Sequence, residues 1–255
     1  MKIIVVLMTI ALGHCQDISL RILGGEDAAP NQAPWMAAII RYDEDVFCGG
    51  ALITRRHVLT AAHCVSPHTA EEISVLLGSP SLEDDDDDPE LLFRAKRLDY
   101  TSDHVEMEAP GVGMITLEKE VNLSNIIRTI PLAVTATPAN VWATLTGYGY
   151  QQRLENGGSI APYLQTLPVR IVERDRCEQL LQGLAKIGPQ SLCGYTSPTQ
   201  GACSGDSGSP LVYQNRLIGI AESVHPNCAA GKPDVYMDVL HYRDFIKNFI
   251  GFKSP

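Results

Sequence analysis

Between Trp35 and Val239 the chain consists of short β-rich runs that alternate with Gly, Pro, Asn and Asp. This punctuation is typical of strands joined by tight turns. Many short strands with few helices predict an all-β barrel or sandwich. The clearest runs are Trp35–Ile40, Ile73–Leu77, Leu91–Arg97, Val141–Thr146, Pro168–Val172, Leu211–Gln214 and Arg216–Ala221.

Two segments are patterned as helices. Arg174–Gln182 is a short one, and the second lies in the C-terminal stretch, where apolar residues recur at the i, i+3, i+4, i+7, i+8 spacing of one helix face. Its apolar face is Tyr242, Phe245, Ile246, Phe249 and Ile250. A length of 255 residues allows one large domain or two modest ones.

The N-terminus is patterned as a secretory signal. Lys2 provides the positive end, and Ile3–Leu12 is an apolar stretch that is too short to span a bilayer. We assign residues 1–15 to the signal peptide, and cleavage after Gly13 or after Cys15 satisfies the small-residue preference. We therefore expect a secreted, extracellular protein with no membrane anchor.

Cysteine usage agrees with secretion. Cys15 lies at the signal boundary, and an even set of six cysteines in a secreted chain predicts three disulfides. Zinc is the competing explanation, but the gaps are long, CxxC pairs are absent from the sequence, and only His63 adjoins one of the six. The six are Cys48, Cys64, Cys177, Cys193, Cys203 and Cys228.

The net charge of −10 comes mainly from one segment. Glu83–Glu90 supplies seven negative charges, so the remaining chain is close to balanced. Self-repulsion marks this run as an exposed loop. The sequence carries no basic patch that would track a phosphate backbone, which argues against nucleic acid as a partner.

The first motif that carries chemistry is Gly201–Pro210, which reads Gly-Ala-Cys-Ser-Gly-Asp-Ser-Gly-Ser-Pro. A serine flanked by glycines can sit on a sharp turn, where the N–H groups of Gly205 and Ser207 point at a developing oxyanion. A serine hydroxyl needs a base, usually histidine. His63, in the run Leu59-Thr60-Ala61-Ala62-His63-Cys64, offers one.

A cleavage motif stands at Arg21-Ile22-Leu23-Gly24-Gly25. Cleavage after Arg21 frees the α-amino group of Ile22, and residues 16–21 are then an activation peptide. A buried ammonium requires a carboxylate partner, and Asp206 beside the nucleophile is well placed to be it. The motif therefore predicts a zymogen that matures by proteolysis.

Taken together, these motifs resemble those of the trypsin- and chymotrypsin-like serine peptidases, over residues 22–255. The resemblance implies two packed antiparallel β-barrels with a C-terminal helix. It also implies a monomer that cleaves protein substrates, with an activating protease and a protein inhibitor as partners. The disulfides it implies are Cys48–Cys64, Cys177–Cys193 and Cys203–Cys228. A fourth family bridge would join the positions of Ala143 and Tyr213, and both cysteines are missing together.

The chain departs from the family at the third catalytic residue. An aspartate that orients the histidine opens the family's Asp-Ile-x-Leu-Ile-x-Leu strand, and Gly111 occupies that place here. The family's Ser-Trp-Gly segment reads Glu222-Ser223-Val224. We hypothesise that the Glu222 carboxylate enters the space that Gly111 leaves. The alternative is drift after catalysis was lost, with Glu222 turned to solvent.

The substrate-binding positions are also unusual. They are Gly201, Ser204, Ser223, Val224 and Asp234. Gly201 takes the pocket floor, where trypsin-like members keep aspartate, and Asp234 takes one wall, where glycine is common. This arrangement predicts broad or mixed specificity, unless Asp234 is tied up in a local ion pair.

Two smaller signals complete the reading. Glu83–Glu90 falls where some family members bind calcium, but Ser79 and Pro89 replace two expected glutamates, so a solvated loop without metal is favoured and no cofactor is assigned. Asn122-Leu123-Ser124 is a glycosylation sequon.

Taken as a whole, the sequence favours a secreted endopeptidase. The second reading is a silent homologue that binds or regulates, and a calcium-binding structural protein is a weak third.

Overall fold

The computed structural model describes residues 24–42, 45–82, 90–101, 110–150, 159–185, 187–223 and 228–251, with Asp45 and Ser223 described by their backbone. The predicted signal peptide, activation peptide and most of the acidic run lie outside these residues. Within them, no helix is long and apolar enough to cross a membrane.

The first half of the described chain forms a closed antiparallel barrel with the strand order β2-β3-β4-β7-β6-β5. Closure leaves no free edge, because every strand has a neighbour on both sides. The strands are β2 (Met36–Arg41), β3 (Asp45–Thr54), β4 (His57–Ala61), β5 (Ile73–Leu77), β6 (Leu92–Tyr100) and β7 (Val112–Leu117).

The second half closes in the same way. Its strands follow the order β9-β10-β13-β12-β11-β8, and β8 pairs with β9 to complete the barrel. A short strand, β1 (Glu26–Asp27), adds to the outside of β9. The barrel strands are β8 (Trp142–Gly147), β9 (Gln165–Val172), β10 (Ser191–Tyr195), β11 (Pro210–Tyr213), β12 (Arg216–Ser223) and β13 (Asp234–Asp238).

Alternation of side chains builds the barrel interiors. On β9, Leu167, Val169 and Ile171 are buried, whereas Pro168 and Arg170 between them are exposed. This two-residue period is that of a strand with one face on a core and one on water. β5 is buried along its whole length, as expected of a strand covered on both faces.

The helices complete the packing. α1 (Arg174–Leu181) buries Cys177 and Leu181. α2 (Arg243–Ile250) lays its apolar face on the first barrel, where Tyr242 and Ile246 join the barrel core. Short 3-10 turns at Ala62–Cys64 and Ala70–Glu72 follow β4 and precede β5.

The three predicted disulfides are confirmed. Cys48–Cys64 joins β3 to the turn after β4, Cys177–Cys193 joins α1 to β10, and Cys203–Cys228 staples the nucleophile loop. Ala143 and Tyr213, where a fourth bridge would stand, pack together in the second core. The predicted two-barrel fold with a C-terminal helix is therefore confirmed.

Candidate active site

His63 is held at the rim of the first barrel. It lies in the 3-10 turn that follows β4, and Cys64 beside it is tied to Cys48 on β3. The Ala62 N–H donates to the Gly111 carbonyl at 2.8 Å, so the start of β7 runs directly beside this turn. Since the two cysteine sulfurs are bonded to each other, they are not thiolates that could bind a metal with His63.

Ser207 is positioned by a chain of hydrogen bonds that links the barrels. The Gly49 N–H donates to the Ser207 carbonyl at 2.7 Å, and the Thr60 hydroxyl donates to the Gly49 carbonyl at 2.7 Å. A Cβ at Gly208 would collide with the Gly49 carbonyl and the Thr60 hydroxyl. The nucleophile loop and the histidine segment therefore lie against each other because glycine leaves no side chain between them.

The turn around Ser207 has the conformation of an oxyanion site. Gly205 has φ +89° and Gly208 φ +82°, values that favour glycine. Among the described residues, the N–H groups of Gly205 and Ser207 donate to no acceptor. Two adjacent unpaired amides beside a partly exposed serine are the donors that a developing oxyanion requires.

Glu222 reaches the histidine from the second barrel. Its Oε1 lies 3.5 Å from Nδ1 of His63, within ion-pair range but longer than an ordinary hydrogen bond. The Glu222 side chain is only 9% exposed, and Oε2 is buried without a hydrogen-bond partner. The alternative in which Glu222 turns towards solvent therefore does not hold, and the His63 ring is the polar group that this buried carboxylate contacts.

β12 brings Glu222 to this place. The Gly208 N–H donates to the Ala221 carbonyl at 2.7 Å, and the Ala221 N–H donates to the Ser209 carbonyl at 2.9 Å. These bonds place Glu222 beside the nucleophile, and the Ser207 hydroxyl donates to the Glu222 carbonyl at 3.3 Å. One residue of β12 thus contacts the histidine with its side chain and the serine with its backbone.

Gly111, the position at which the family resemblance predicts a carboxylate, lies beside the histidine turn. It is buried at the start of β7, and Ala61 and Val112 are register partners across β4 and β7. The Tyr242 hydroxyl of the C-terminal helix donates to the Pro110 carbonyl at 2.9 Å and fixes this segment. A side chain at position 111 would therefore start beside the histidine turn, and glycine leaves that place without one.

Asp206 is fully buried behind the nucleophile. Its Oδ1 accepts from the Gly149 N–H and its Oδ2 from the Cys203 N–H, both at 2.9 Å. Burial raises the pKa of this carboxyl to about 7, although the two amide donors oppose the rise. The described residues give Asp206 no cationic contact.

Two glycines that sequence reasoning missed enclose Asp206. A Cβ at Gly147 or at Gly149 would collide with the Asp206 carboxylate. Both lie in the run Gly147-Tyr148-Gly149-Tyr150 at the end of β8, and the Tyr150 N–H donates to the Ser204 carbonyl at 2.7 Å. The alternation of glycines in this run was the only sequence signal of the enclosure, and it is a weak signal because glycines alternate for many other reasons.

Two of the predicted specificity residues, Gly201 and Asp234, lie next to each other. A Cβ at Gly201 would lie 3.0 Å from Oδ2 of Asp234. Asp234 accepts from the Ala202 N–H at 3.0 Å and is 8% exposed. Burial and the nearby Asp206 charge raise its pKa to about 7, opposed by the Ala202 amide.

Other predicted site residues are described only in part. Ser204 and Gly205 line a cleft of about 350 Å³ with Arg41, Phe47 and Tyr150 from both barrels. Arg21, Ile22, Val224 and the acidic segment 83–89 lie outside the described residues. Ser223 is described by its backbone alone. Glu90, at the end of that run, is described and exposed.

The Ser207 hydroxyl and the His63 ring both contact Glu222 where the two β-barrels meet. A sequence model of the trypsin family matches residues 22–246. The chain therefore belongs to the trypsin family of serine proteases.

Relatives cover nearly the whole chain. Chymotrypsin-2 of Vespa crabro is 32% identical over 228 residues, which is 89% of this chain and 98% of the relative. Kallikrein-8 of Homo sapiens is 30% identical and covers 95% of this chain and 91% of its own. Among solved structures, neuropsin, a serine protease from mouse brain, superposes with a TM-score of 0.79 at 28% identity over 89% of this chain and 98% of its own. Human heparin binding protein superposes with a TM-score of 0.75 at 26% identity, over 91% of this chain and 98% of its own.

Proposed function

We propose that this protein is a secreted serine endopeptidase in which Glu222 takes the role of the missing triad aspartate. The observation that carries the proposal is the 3.5 Å contact between the buried Glu222 carboxylate and Nδ1 of His63. A carboxylate at Nδ1 fixes the tautomer of the ring, which leaves Nε2 free to accept a proton from serine.

Peptide cleavage follows from this arrangement in two stages. The Ser207 hydroxyl turns from the Glu222 carbonyl towards Nε2 of His63, gives up its proton and attacks the substrate carbonyl. The Gly205 and Ser207 amides stabilise the resulting oxyanion, and Glu222 stabilises the imidazolium. His63 then donates its proton to the leaving amine, and water hydrolyses the acyl-enzyme by the reverse proton transfers.

Activation by cleavage after Arg21 is part of the same proposal. The new α-ammonium of Ile22 pairs with Asp206, which is buried and accepts only from backbone amides among the described residues. Pairing removes the penalty that burial places on the Asp206 charge. Asp206 adjoins Ser207, so the same pairing stabilises the nucleophile loop in the conformation that presents the oxyanion donors.

The pocket residues support a mixed preference for the side chain that precedes the cleaved bond. Gly201 places no charge on the predicted pocket floor, and the Asp234 carboxylate lies beside it, 3.0 Å from where a Gly201 Cβ would be. An apolar side chain fits against a floor without a charge, and a basic side chain reaches the carboxylate. Protein or peptide substrates with either type are the expected class.

A silent homologue is the second candidate, and two observations favour it. The Glu222–His63 distance exceeds that of a hydrogen bond, and the Ser207 hydroxyl donates to the Glu222 carbonyl and not to His63. Both features would have to change in an active enzyme. A binding or regulatory protein would need neither change.

The test is covalent labelling of Ser207. Protein cleaved after Arg21 is treated with an organophosphorus reagent, and the modified peptide is identified by mass spectrometry, with Ser207→Ala and the uncleaved chain as controls. We expect labelling at Ser207 in the cleaved protein alone. Failure to label, under conditions in which an authentic relative is fully modified, would establish the silent homologue.

A further inference from the structure

The segment 122–126, which follows β7, is a surface feature that the proposed catalysis does not use. Its five residues are exposed, whereas Val121 before it and Ile127 after it are buried. The segment begins with Asn122-Leu123-Ser124, the tripeptide that accepts N-linked glycans. A glycan is bulky and polar, so exposure in the folded chain is the first requirement of a glycosylated asparagine.

The Asn122 side chain is held at the surface by contacts that do not use its amide nitrogen. The Val121 N–H donates to the Arg55 carbonyl at 2.8 Å, which anchors the segment on the turn between β3 and β4. Nη2 of Arg55 donates to Oδ1 of Asn122 at 3.4 Å, and no described residue accepts from Nδ2. Because the first sugar bonds to Nδ2, attachment breaks none of the hydrogen bonds of the described residues.

Ser124 holds the same segment in a tight turn. Its Oγ accepts from the Ile126 N–H and from the Ile127 N–H, both at 3.2 Å. The Ser124 N–H donates to the Ile127 carbonyl at 2.9 Å. The residue that completes the acceptor tripeptide therefore also fixes the fold of the segment, and it keeps Asn122 at the surface.

A groove of about 580 Å³ lies beside Asn122, and Asn122 and Ser124 are among the residues that line it. Ile126, which is 41% exposed, lines it too. Sugars present C–H faces and hydroxyl groups, so they match a surface that mixes apolar side chains with carboxylates. The groove has this mixture in Leu91, Phe93, Ile126, Glu118 and Glu120.

A protein partner is the other occupant that such a groove could take. A glycan on Asn122 is favoured because it is tethered at the groove itself, so its local concentration there is high without any encounter step. The glycan would also keep a protein partner away from the groove by its bulk.

We propose that Asn122 carries an N-linked glycan whose first sugar lies in this groove and covers Ile126. The inference rests on the secretion that the proposed function includes, and on no catalytic step. The oligosaccharide comes from a lipid-linked diphosphate donor. The bond between C1 of the first sugar and the phosphate oxygen breaks, C1 bonds to Nδ2 of Asn122, and the lipid diphosphate leaves with the proton that Nδ2 loses.

The attachment is tested by expressing the full chain in animal cells that glycosylate secreted proteins. Mass spectrometry then identifies the peptide that contains Asn122, both in the medium and in the cell lysate. We expect a glycan in the wild type, in Ser124→Thr and in the matched control Asn125→Gln, because these chains keep the acceptor tripeptide. Asn122→Gln and Ser124→Ala should carry none.

The location of the chain separates the two proposals. A wild-type chain that reaches the medium without a glycan would overturn the glycan alone. A chain that stays inside the cells with the glycan attached would contradict secretion alone, and one that stays inside without it would overturn both. Labelling of Ser207 tests catalysis separately, and its failure would leave the glycan result intact.

The position of the first sugar is tested by urea unfolding. An endoglycosidase trims the glycan to a single N-acetylglucosamine, and the trimmed wild type is compared with Asn122→Gln. We expect the trimmed protein to have the higher midpoint, by a few tenths of a molar, because one sugar is enough to cover Ile126. Ile126→Ser in both proteins should narrow this difference. Equal midpoints for the trimmed wild type and Asn122→Gln, or a difference that Ile126→Ser leaves unchanged, would overturn the placement of the sugar in the groove.

Discussion

The Glu222 carboxylate of the second barrel lies 3.5 Å from Nδ1 of His63 on the first. By resemblance to the family, this carboxylate is expected on the same barrel as the histidine, at position 111. Here it comes from β12, the strand that also contacts the Ser207 hydroxyl through its backbone. The third catalytic residue presents a negative charge to Nδ1 of the histidine, and this requirement can be met from a strand of either barrel.

The first prediction concerns the vacant family position. In a Glu222→Ser background, Gly111→Asp should restore most of the activity that the single change removes, since position 111 lies beside the histidine turn. The gain in kcat/KM should be roughly a hundredfold or more, given about 10⁴ for loss of the carboxylate's role. The neutral control is Gly111→Asn in the same background. Equal rates for the aspartate and asparagine variants would refute the prediction.

The second prediction concerns pH and the stability of the uncleaved chain. The pKa of Asp206 is about 7 when folded and near 3.8 when unfolded, so the folded chain binds more protons between these values. Stability should therefore fall as the pH rises from about 4 to about 7, by a few kcal/mol in order of magnitude. Asp234 contributes in the same direction.

Urea unfolding at pH 5 and pH 7.5 measures this effect. Asp206→Asn should lose roughly half of the pH dependence and leave the part due to Asp234. Cleavage after Arg21 should also reduce it, because an ammonium partner lowers the pKa of Asp206. An uncleaved chain that is more stable at pH 7.5 than at pH 5, with Asp206→Asn showing the same trend, would be inconsistent with a buried, unpaired carboxyl.

The third prediction concerns the glycine pair around Asp206. Gly149→Ala should destabilise the fold by about 1–3 kcal/mol, because its Cβ would collide with the Asp206 carboxylate and the backbone must shift. It should also reduce labelling at Ser207. The wild-type chain is the reference. A Gly149→Ala protein with the unfolding midpoint of the wild type would show that the carboxylate can move aside freely.

Much of the fold could be predicted from the sequence. The predicted run Ile73–Leu77 is strand β5 of the structure. The predicted apolar face of the C-terminal helix, which includes Ile246, packs on the first barrel. Local patterning suffices there because the period of apolar residues reports which side of an element is buried. The closure of each barrel came from family resemblance, since pairing between β8 and β9 or β2 and β5 depends on contacts far apart in sequence.

The candidate site was predictable to a smaller extent. Ser207, His63 and Asp206 stand in motifs, and the same motif comparison predicts that Gly111 replaces the family's aspartate. The direction of the Glu222 side chain was not, because either face of β12 was open to it in sequence. The enclosure of Asp206 by Gly147 and Gly149 also depends on contacts between distant segments, which a single sequence does not report.

The most direct test of the central claim is the kinetics of Glu222→Gln in protein cleaved after Arg21. This change keeps the shape of the side chain and removes its charge, so kcat should fall by roughly 10²–10⁴ with KM nearly unchanged. Glu118→Gln, at an exposed carboxylate after β7, is the matched control and should retain full activity. If Glu222→Gln retains the kcat of the wild type, or if the cleaved wild type shows no turnover, Glu222 does not replace the triad aspartate.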